Sequence, residues 1–522
     1  MNEEGRVKKS AKNMASGMLF RVISMLTAFI VRTVFIKCLS NDYLSVNGLY
    51  SSILNMLSLA ELGFSTVMVY SMYKPLAEKD YIKLSQIMRL YKRVYQIVGS
   101  VVLILGLLIV PFLDVIIKNK PDINGLTFYY LLFLFNSVIS YWFFAYRSSV
   151  LQADQRAFVT SNYSTIFNII KTILQIVLLL IFKNFTIYLM TQIMCTIAQN
   201  ILIAIRVKKD YPIFKNSRDE LSKSEKSKIY NDVKALMIQK VSFKILNGSD
   251  SIIISAFVGV NWVGLLSNYI MIEQMIVAVL SEITSSISAS LGNLFVKTDK
   301  NNGYIVFKRI DFMNYWLYGF SVIALITLSN PFVELWLGKS YLLNNTVIIA
   351  LFFRFFIEGY INTMSTFRST LGLFNQGKYL PLIVAGLNIV LSIGLSYPLG
   401  VAGVLFATPI SRLCINGWYM PFVIYRDGFN KPVKPYYFKL LFRFSLLACV
   451  VVVMQLISSA VFVGGVTIIK FIIMVIITAI LPNVIFALVF NKIEEFKYFK
   501  TLFFKNILKK VILAIKSCKI KN

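Results

Sequence analysis

Apolar runs of about 20 residues recur along almost the whole chain, and they limit its fold more than any other feature. A helix needs roughly 20 mostly apolar residues to cross a bilayer. Because the runs are continuous rather than alternating, they predict spanning helices and not the strands of a barrel. We predict an all-α polytopic membrane protein with about fourteen spans, at 16–37, 44–70, 94–117, 126–146, 159–182, 185–205, 235–258, 262–294, 310–330, 344–367, 379–399, 401–424, 444–462 and 466–490.

The composition excludes several classes of function. Charged residues make up 15% of the chain, against about 25% in an ordinary soluble domain, which excludes a soluble enzyme. The chain has no His, which excludes His-based catalysis, His metal ligands and an imidazole proton relay. The five Cys show no zinc or CxxC spacing. We therefore expect neither enzymatic activity nor a cofactor or metal site.

The basic residues predict the orientation of the spans. With a cytoplasmic N-terminus, 41 of the 54 Lys and Arg fall in segments on the inside, five fall in outside loops and eight fall within spans. Such an excess in cytoplasmic loops is the usual signal of orientation. We expect a multi-pass membrane protein with both termini in the cytoplasm. The outside loops are too short to form a catalytic domain.

The longest polar connection lies near the middle of the chain and is interpreted as a linker between two halves. The tail after the last span is rich in Lys and has apolar residues at helical spacing, which favours binding to an anionic membrane surface. We predict a cytoplasmic tail (1–15), an N-lobe of six spans (16–205), a cytoplasmic linker (206–234), a C-lobe of six spans (235–424), two extra spans with a preceding cytoplasmic loop (425–490) and a basic amphipathic cytoplasmic tail (491–522).

The two halves share short stretches of sequence. YRSSVLQADQRA (146–157) aligns with FRSTLGLFNQGK (367–378) at an offset of 221 residues, and VNGLYS (46–51) aligns with WVGLLS (262–267) at an offset of 216. The second offset also places 92–93 on 308–309, both Lys-Arg. Each repeat has six spans, an even number, so both repeats start on the same side of the membrane. The two lobes are therefore expected to be parallel and pseudo-symmetric. Such lobes can rock around a central cavity, which is the alternating-access mechanism.

Two motifs resemble a known family. NGLYSSILNMLSLAELGFSTVMVYSMYKPLAEKD (47–80) and AYRSSVLQADQRAFV (145–159) are similar to the second-helix region and the cytoplasmic end of the fourth helix of bacterial polysaccharide flippases. These O-antigen or capsule repeat-unit exporters belong to the multidrug/oligosaccharidyl-lipid/polysaccharide (MOP) superfamily. The resemblance implies a V-shaped, MATE/MOP-like pair of lobes around a hydrophilic cavity. It also implies export of an oligosaccharide linked to a polyprenyl diphosphate such as undecaprenyl diphosphate.

Basic residues inside spans are costly, and they are the candidates for binding the diphosphate. Arg21 and Arg32 are eleven residues apart on the first span and Lys240 and Lys244 four apart on the seventh, so each pair shares one helix face. Arg binds phosphate oxygens bidentately and Lys binds them as a point charge. Lys470, near an outer end, is interpreted as snorkelling. The candidate substrate-binding residues are Arg21, Arg32, Lys171, Lys240, Lys244, Arg354, Arg412.

Acidic residues inside spans are candidates for ion coupling or charge pairing. Glu358 lies four residues after Arg354, which predicts either an intrahelical ion pair or a carboxylate that holds Arg354 ready for substrate. Glu273 and Glu282 are nine residues apart and lie on opposite faces of their helix. Coupling to Na⁺, coupling to H⁺ and no coupling all stay open. The candidate acids are Glu61, Asp250, Glu273, Glu282, Glu358.

Two other classes of function were weighed against a flippase. A multidrug exporter of the MATE type would carry cations and would favour acidic membrane charges, whereas the charges inside these spans have a basic surplus. A membrane glycosyltransferase or polymerase would need larger loops that carry catalytic acids. The expected partners are a polyprenyl-diphosphate-linked glycan, membrane lipids, Na⁺ or H⁺, and other polysaccharide assembly proteins. Nucleic acid is not expected, because topology accounts for most of the basic residues.

Overall fold

The computed structural model describes residues 25, 27–58, 64–211, 220–297, 300–373, 376–377 and 379–501 of the chain. Within these ranges the regular elements are all helical, and short α, 3-10 and π turns connect the long helices. We number the long helices as α1 (27–38), α2 (Asn41–Leu57), α3 (Phe64–Glu78), α4 (Tyr81–Ile109), α5 (Leu126–Trp142), α6 (Ala157–Phe182), α7 (Phe185–Asp210), α8 (Lys223–Ile253), α9 (Asn261–Lys297), α10 (Lys300–Leu337), α11 (Asn345–Thr370), α12 (Leu380–Arg412), α13 (Lys434–Val461) and α14 (Ile468–Phe490).

Many of these helices are long and apolar enough to cross a membrane. In the described ranges nine helical segments meet this condition, and a tenth does so if α5 and the bent segment Ala145–Ala153 form one span with a 42° break. The predicted multi-pass, all-α architecture is therefore confirmed. The count of fourteen spans is compatible with these segments and stays a prediction.

Some predicted boundaries differ from the helices. Within the run 44–70 the structure describes α2 up to Leu57 and α3 from Phe64, and 59–63 lie outside the described residues. The linker 206–234 is helical at both ends, and the Ser222 side chain caps the start of α8 with Glu225 in a reciprocal capping box. The predicted loop 425–443 is shorter, because α13 already begins at Lys434. In the tail, 494–501 is helical and the rest lies outside the described residues.

Local signals explain several helix ends. Lys183 adopts a left-handed conformation at the end of α6, and the Asn184 side chain accepts bonds from the first amides of α7. Asn344 caps α11 in the same way. Gly400 has φ 56° and ψ −132°, a conformation that glycine tolerates, and it kinks α12 where the sequence separates two predicted spans.

The outer surface of the helices is apolar. On α14, Ile472, Ile476 and Ile480 are exposed at four-residue spacing, whereas Met474 and Phe486 on the other side are buried. A helix with an apolar stripe on its exposed side needs an apolar solvent there, since water would be unfavourable. This exposure is what a lipid-facing helix requires.

Contacts within the chain divide it into two compact units. Unit 1 comprises Met1–Asn268 and Pro381–Val404, and unit 2 comprises Tyr269–Leu380 and Leu405–Asn522. In unit 1, Phe185 lies against the ring edges of Phe35 and Tyr129. In unit 2, Phe307 packs with Phe367 and Tyr425. The lobe boundaries predicted from the repeat stay a prediction.

Helix ends that were predicted on the same side of the membrane contact one another. Among the predicted outside segments, the amide of Val260 donates to the carbonyl of Lys118 at 3.1 Å. Among the predicted cytoplasmic ones, Arg156 pairs with Asp210 at 2.8 Å. These contacts support the alternation of the helices, while the sidedness itself stays a prediction.

Candidate functional site

Arg32 lies in the middle of α1 with a neutral partner. Its Nη1 donates to the hydroxyl oxygen of Ser267 on α9 at 2.9 Å, and that hydroxyl donates to the Gly264 carbonyl at 2.7 Å. Both contacts lie within unit 1. A guanidinium has five N–H donors, and a single hydroxyl uses one of them. Among the residues that the structure describes, this bond uses one donor of Arg32 and brings no negative charge to it.

Lys244 on α8 contacts the C-terminal end of α2. Its Nζ donates to the Asn55 carbonyl at 3.2 Å and to Asn55 Oδ1 at 2.8 Å, and it also bonds Ser58 Oγ. The ammonium thus completes the last turn of α2, where a cation also interacts favourably with the helix dipole. These three oxygens of α2 and its C-terminal cap are neutral acceptors.

The structure places the other predicted cations of this group differently. Lys171 on α6 donates to Asn168 Oδ1, one turn earlier, at 3.1 Å. Lys470 donates to the Val463 carbonyl at 2.5 Å, as expected for a snorkelling side chain near a helix end. Arg21 lies outside the described residues, as does the side chain of Lys240.

Unit 2 holds two ion pairs between helices. Arg354 on α11 pairs with Glu273 on α9 at 3.4 Å, and Arg412 on α12 pairs with Glu358 on α11 at 3.6 Å. The four-residue spacing within α11 predicted that Glu358 would interact with Arg354. Instead, Glu273 and Glu358 each pair with an arginine of another helix. The four charges sum to zero, so the basic surplus lies outside this cluster.

Asp250 lies among buried oxygen-bearing side chains of unit 1. It is 5% exposed on α8, and neighbouring Ser249 Oγ lies 3.5 Å from Asn388 Oδ1 on α12, with Ser392 buried one turn further on. Oxygen atoms of this kind suit hard cations. In the described ranges no three His, Cys, Asp or Glu side chains group as a metal site. Glu282 is half-buried on α9, and Glu61 lies outside the described residues.

Two glycines that align in the sequence repeat form a close helix crossing. A Cβ atom on Gly264 of α9 would overlap Ser45 Oγ and lie 3.0 Å from the Ser45 backbone nitrogen, and a Cβ atom on Gly48 of α2 would lie 3.1 Å from Val263 Cγ1. Ser45 Oγ also lies 3.4 Å from the Asn261 carbonyl, and these two residues are separated by the repeat offset of 216. Two residues that the sequence repeat aligns therefore contact one another at this crossing.

Sequence reasoning missed two features. The aligned glycines were visible in the repeat, but their mutual contact was not. Arg443 was counted in a cytoplasmic loop, and it is buried in α13 against Asp311. A signal for the longer helix was present, since Pro435 stands at its first turn, where proline is favoured.

Comparisons with known proteins establish the fold. No protein-family model matches the sequence, and a search of curated proteins finds no match. Among solved structures, the chain is similar to the lipid II flippase MurJ in an inward closed conformation, with a TM-score of 0.66, 15% identity, and coverage of 92% of this chain and 99% of that one.

Two transporters of a second group are also similar. An inward-facing multidrug resistance MATE family transporter of the MOP superfamily gives a TM-score of 0.59 with 14% identity, over 76% of this chain and 94% of that one. A mutant of the Vibrio cholerae MATE transporter VcmN gives 0.53 with 14% identity, over 80% and 97%. The predicted MATE/MOP-like fold is thereby confirmed.

Proposed function

We propose that the chain is a flippase that moves a polyprenyl-diphosphate-linked oligosaccharide, such as a polysaccharide repeat unit, from the cytoplasmic to the outer leaflet of the bacterial inner membrane. The fold supports a transporter of the MOP type, and the solved structure with the highest TM-score quoted above is named as a lipid II flippase. The observation that carries the substrate class is the pair Arg32 and Lys244. Both are cations within helices of unit 1, and Arg32, whose Nη1 donates to the neutral hydroxyl of Ser267, carries the argument.

The charges of the two units suggest different roles for the predicted cations. A diphosphate needs cationic partners that can replace its hydration, and a charge-assisted bond to phosphate is stronger than a neutral one. Arg32 offers a bidentate fork and Lys244 a point charge. Arg354 and Arg412 are each paired with a carboxylate. We therefore assign direct binding first to Arg32, with Lys244 and Lys171 as further cations of the same unit and with Arg21 and Lys240, which share helix faces with Arg32 and Lys244, as additional candidates.

Alternating access needs a contact that closes one end of the substrate path and opens later. The Gly48–Gly264 crossing is suited to this role, because small residues let the backbones of two helices approach closely. The predicted topology places the crossing near the outer side of the membrane. In this proposal the crossing is closed while the glycan enters from the cytoplasm, and it separates when the glycan is released outside.

Asp250 is the acid that we propose for ion coupling. Asp250 is buried, and Ser249, the residue before it, contacts Asn388 of α12. Without His, a transported proton would have to bind a carboxylate, and Na⁺ would use the same oxygens. Dependence of transport on a Na⁺ gradient at constant pH, compared with dependence on a pH gradient without Na⁺, separates the two ions.

The second candidate function is export of a small cation by a MATE-type mechanism. The structural likeness to MATE transporters, at a TM-score of 0.59, favours it. The two candidates predict opposite effects of charge, because a cationic drug would be repelled by Arg32 and Lys244. Neutralising these residues would then leave drug export unchanged or raise it.

The experiment measures surface glycan in a strain whose capsule or O-antigen depends on this protein. We expect Arg32→Gln and Lys244→Gln to lower export and to accumulate the lipid-linked precursor, with normal amounts of protein in the membrane. Lys470→Gln is the matched control, because its ammonium bonds a loop carbonyl near a helix end. Wild-type export by both charge-neutralised variants would show that these cations do not bind the substrate.

A further inference from the structure

Unit 2 contains a buried ion pair that the proposed transport path does not use. Arg443 on α13 pairs with Asp311 on α10 at 2.6 Å, and their side chains are 1% and 6% exposed. The hydroxyl of Tyr436 donates to the other Asp311 oxygen at 3.1 Å, and Arg443 lies 5.0 Å from the centre of the Tyr315 ring. A buried pair of this kind is favourable only if the remaining polar atoms are also satisfied.

The polar atoms of this site are not all satisfied by the protein. Within the part of the chain that the structure describes, Arg443 Nε and Nη2 and Asn314 Oδ1 are buried and have no hydrogen-bond partner. All three belong to residues that line one cavity of about 20 Å³, together with Tyr360 and Thr363. An unsatisfied buried polar atom costs about 1–3 kcal/mol, so three at one place indicate an occupant.

The chemistry of the lining identifies the occupant. The Thr363 hydroxyl donates to the Gly359 carbonyl at 3.0 Å and therefore accepts a bond from Asn314 Nδ2 at 2.9 Å. This fixes the amide orientation and leaves Asn314 Oδ1 as an acceptor, while Arg443 supplies only donors. The occupant must accept from the guanidinium and also donate to the amide oxygen.

Simple ions fail this requirement. Chloride has no proton to donate to Asn314, and a metal cation cannot accept from Arg443. The pair Arg443–Asp311 is already neutral, so no net charge favours an ion. A water molecule meets both conditions, and a cavity of roughly 10–15 Å³ or more is sufficient for one.

We propose that one internal water molecule is bound beside the Arg443–Asp311 pair, where it joins Arg443 of α13 to Asn314 of α10 by hydrogen bonds. The water completes the hydrogen bonds of a buried charge. It thereby fixes the position of α13, the first of the two extra C-terminal helices, against α10 and α11. This site is independent of the proposed transport function.

The test is radiolytic hydroxyl-radical footprinting of the full-length protein in nanodiscs, because radicals formed from a bound water modify the side chains beside it. Tyr315 and Tyr360 line the cavity. We expect them to be modified much faster than Tyr130, which is fully buried in unit 1. Asn314→Leu should reduce their modification to the Tyr130 level, and the exposed neighbour Asn362→Leu should leave it unchanged.

A second variant keeps the test valid if Asn314→Leu does not fold. Arg443→Lys keeps the positive charge but lacks Nε and Nη2, and we expect it to reduce modification of both tyrosines in a protein that still elutes as a single species. Modification of Tyr315 and Tyr360 at the Tyr130 rate in the wild type would overturn the proposal. Anomalous density for bromide at Arg443 after exchange of chloride would also overturn it, in favour of an anion.

Discussion

A methyl group added at Gly264 tests the helix crossing between α2 and α9 in unit 1. The Cβ of Gly264→Ala would overlap Ser45 Oγ and lie 3.0 Å from the Ser45 backbone nitrogen and from Asn41 Oδ1. The hydroxyl can rotate away, but the backbone nitrogen cannot. Since ordinary contacts begin at 3.4 Å, the two helices must separate by at least 0.4 Å.

The magnitude follows from the cost of overpacking. Adding a methyl group to a well-packed interior costs about 1–3 kcal/mol, which corresponds to about a 5- to 150-fold change in an equilibrium constant. If the crossing is the outer closure of a transport cycle, this free energy disfavours the closed state only. The open state gains the same helix propensity from alanine, so that term cancels between the two states.

The assay is the rate at which an impermeant thiol reagent, added from outside, labels Val263→Cys in a Cys-free background. Val263 is 5% exposed and contacts Gly48, so labelling requires the crossing to open. We expect Gly264→Ala to raise the rate about 5- to 150-fold. Gly48→Ala should raise it less, because the atom nearest to its added Cβ, Val263 Cγ1 at 3.1 Å, belongs to the side chain that the reporter Cys replaces.

Gly386→Ala is the matched control. Gly386 lies in α12 of the same unit, and a Cβ atom there would have no heavy atom within 4 Å. We expect its labelling rate to equal that of the parent protein. Equal rates for Gly264→Ala and Gly386→Ala, with both proteins folded, would refute the argument that this crossing is a tight closure.

Three further predictions follow from the charges. Arg412→Gln should lower the melting temperature in detergent more than Arg412→Gln with Glu358→Gln does, since the single change leaves a carboxylate without its 3.6 Å partner; a double variant as unstable as the single one would contradict this. Lys226, 2.6 Å away, and Arg93 lower the pKa of Glu220 from 4.5 to about 2. Because the folded pKa is depressed, any stability difference between wild type and Glu220→Gln should be constant above pH 5 and disappear as the pH falls towards 2; a difference that grows on acidification, measured by thermal unfolding, would reverse the assigned sign. In the Cys-free background, an impermeant thiol reagent added outside intact cells should label Lys339→Cys and not Lys226→Cys, and the opposite pattern would invert the predicted topology.

The sequence predicted those parts of the fold that depend on local signals. The run lengths gave most of the spanning helices, and Asn184 and Gly400 mark a helix start and a kink close to the predicted boundaries. The start of α13 at Lys434 was not predictable from apolar content, because Lys434, Lys439 and Arg443 interrupt the apolar residues there.

The pairing of charges was less predictable. Arg354 and Glu358 are four residues apart, a spacing that favours an intrahelical pair, but Glu273, 81 residues away, pairs with Arg354 instead. Asp311 and Arg443 are 132 residues apart. Such partners depend on which helices pack together, and a single sequence carries no signal for that packing. Recognising that Arg354 and Arg412 are paired between helices therefore required the structure.

The most direct test of the proposed function is reconstitution of the protein in liposomes with a fluorescent polyprenyl-diphosphate oligosaccharide. The assay measures how fast the labelled glycan reaches the opposite leaflet, where an added quencher or glycosidase acts on it. We expect transfer by the wild type and by Lys470→Gln, and loss of transfer in Arg32→Gln with Lys244→Gln. Equal transfer by the wild type and the double variant would contradict the assignment of these cations, and no transfer by the wild type alongside export of an organic cation would contradict the flippase itself.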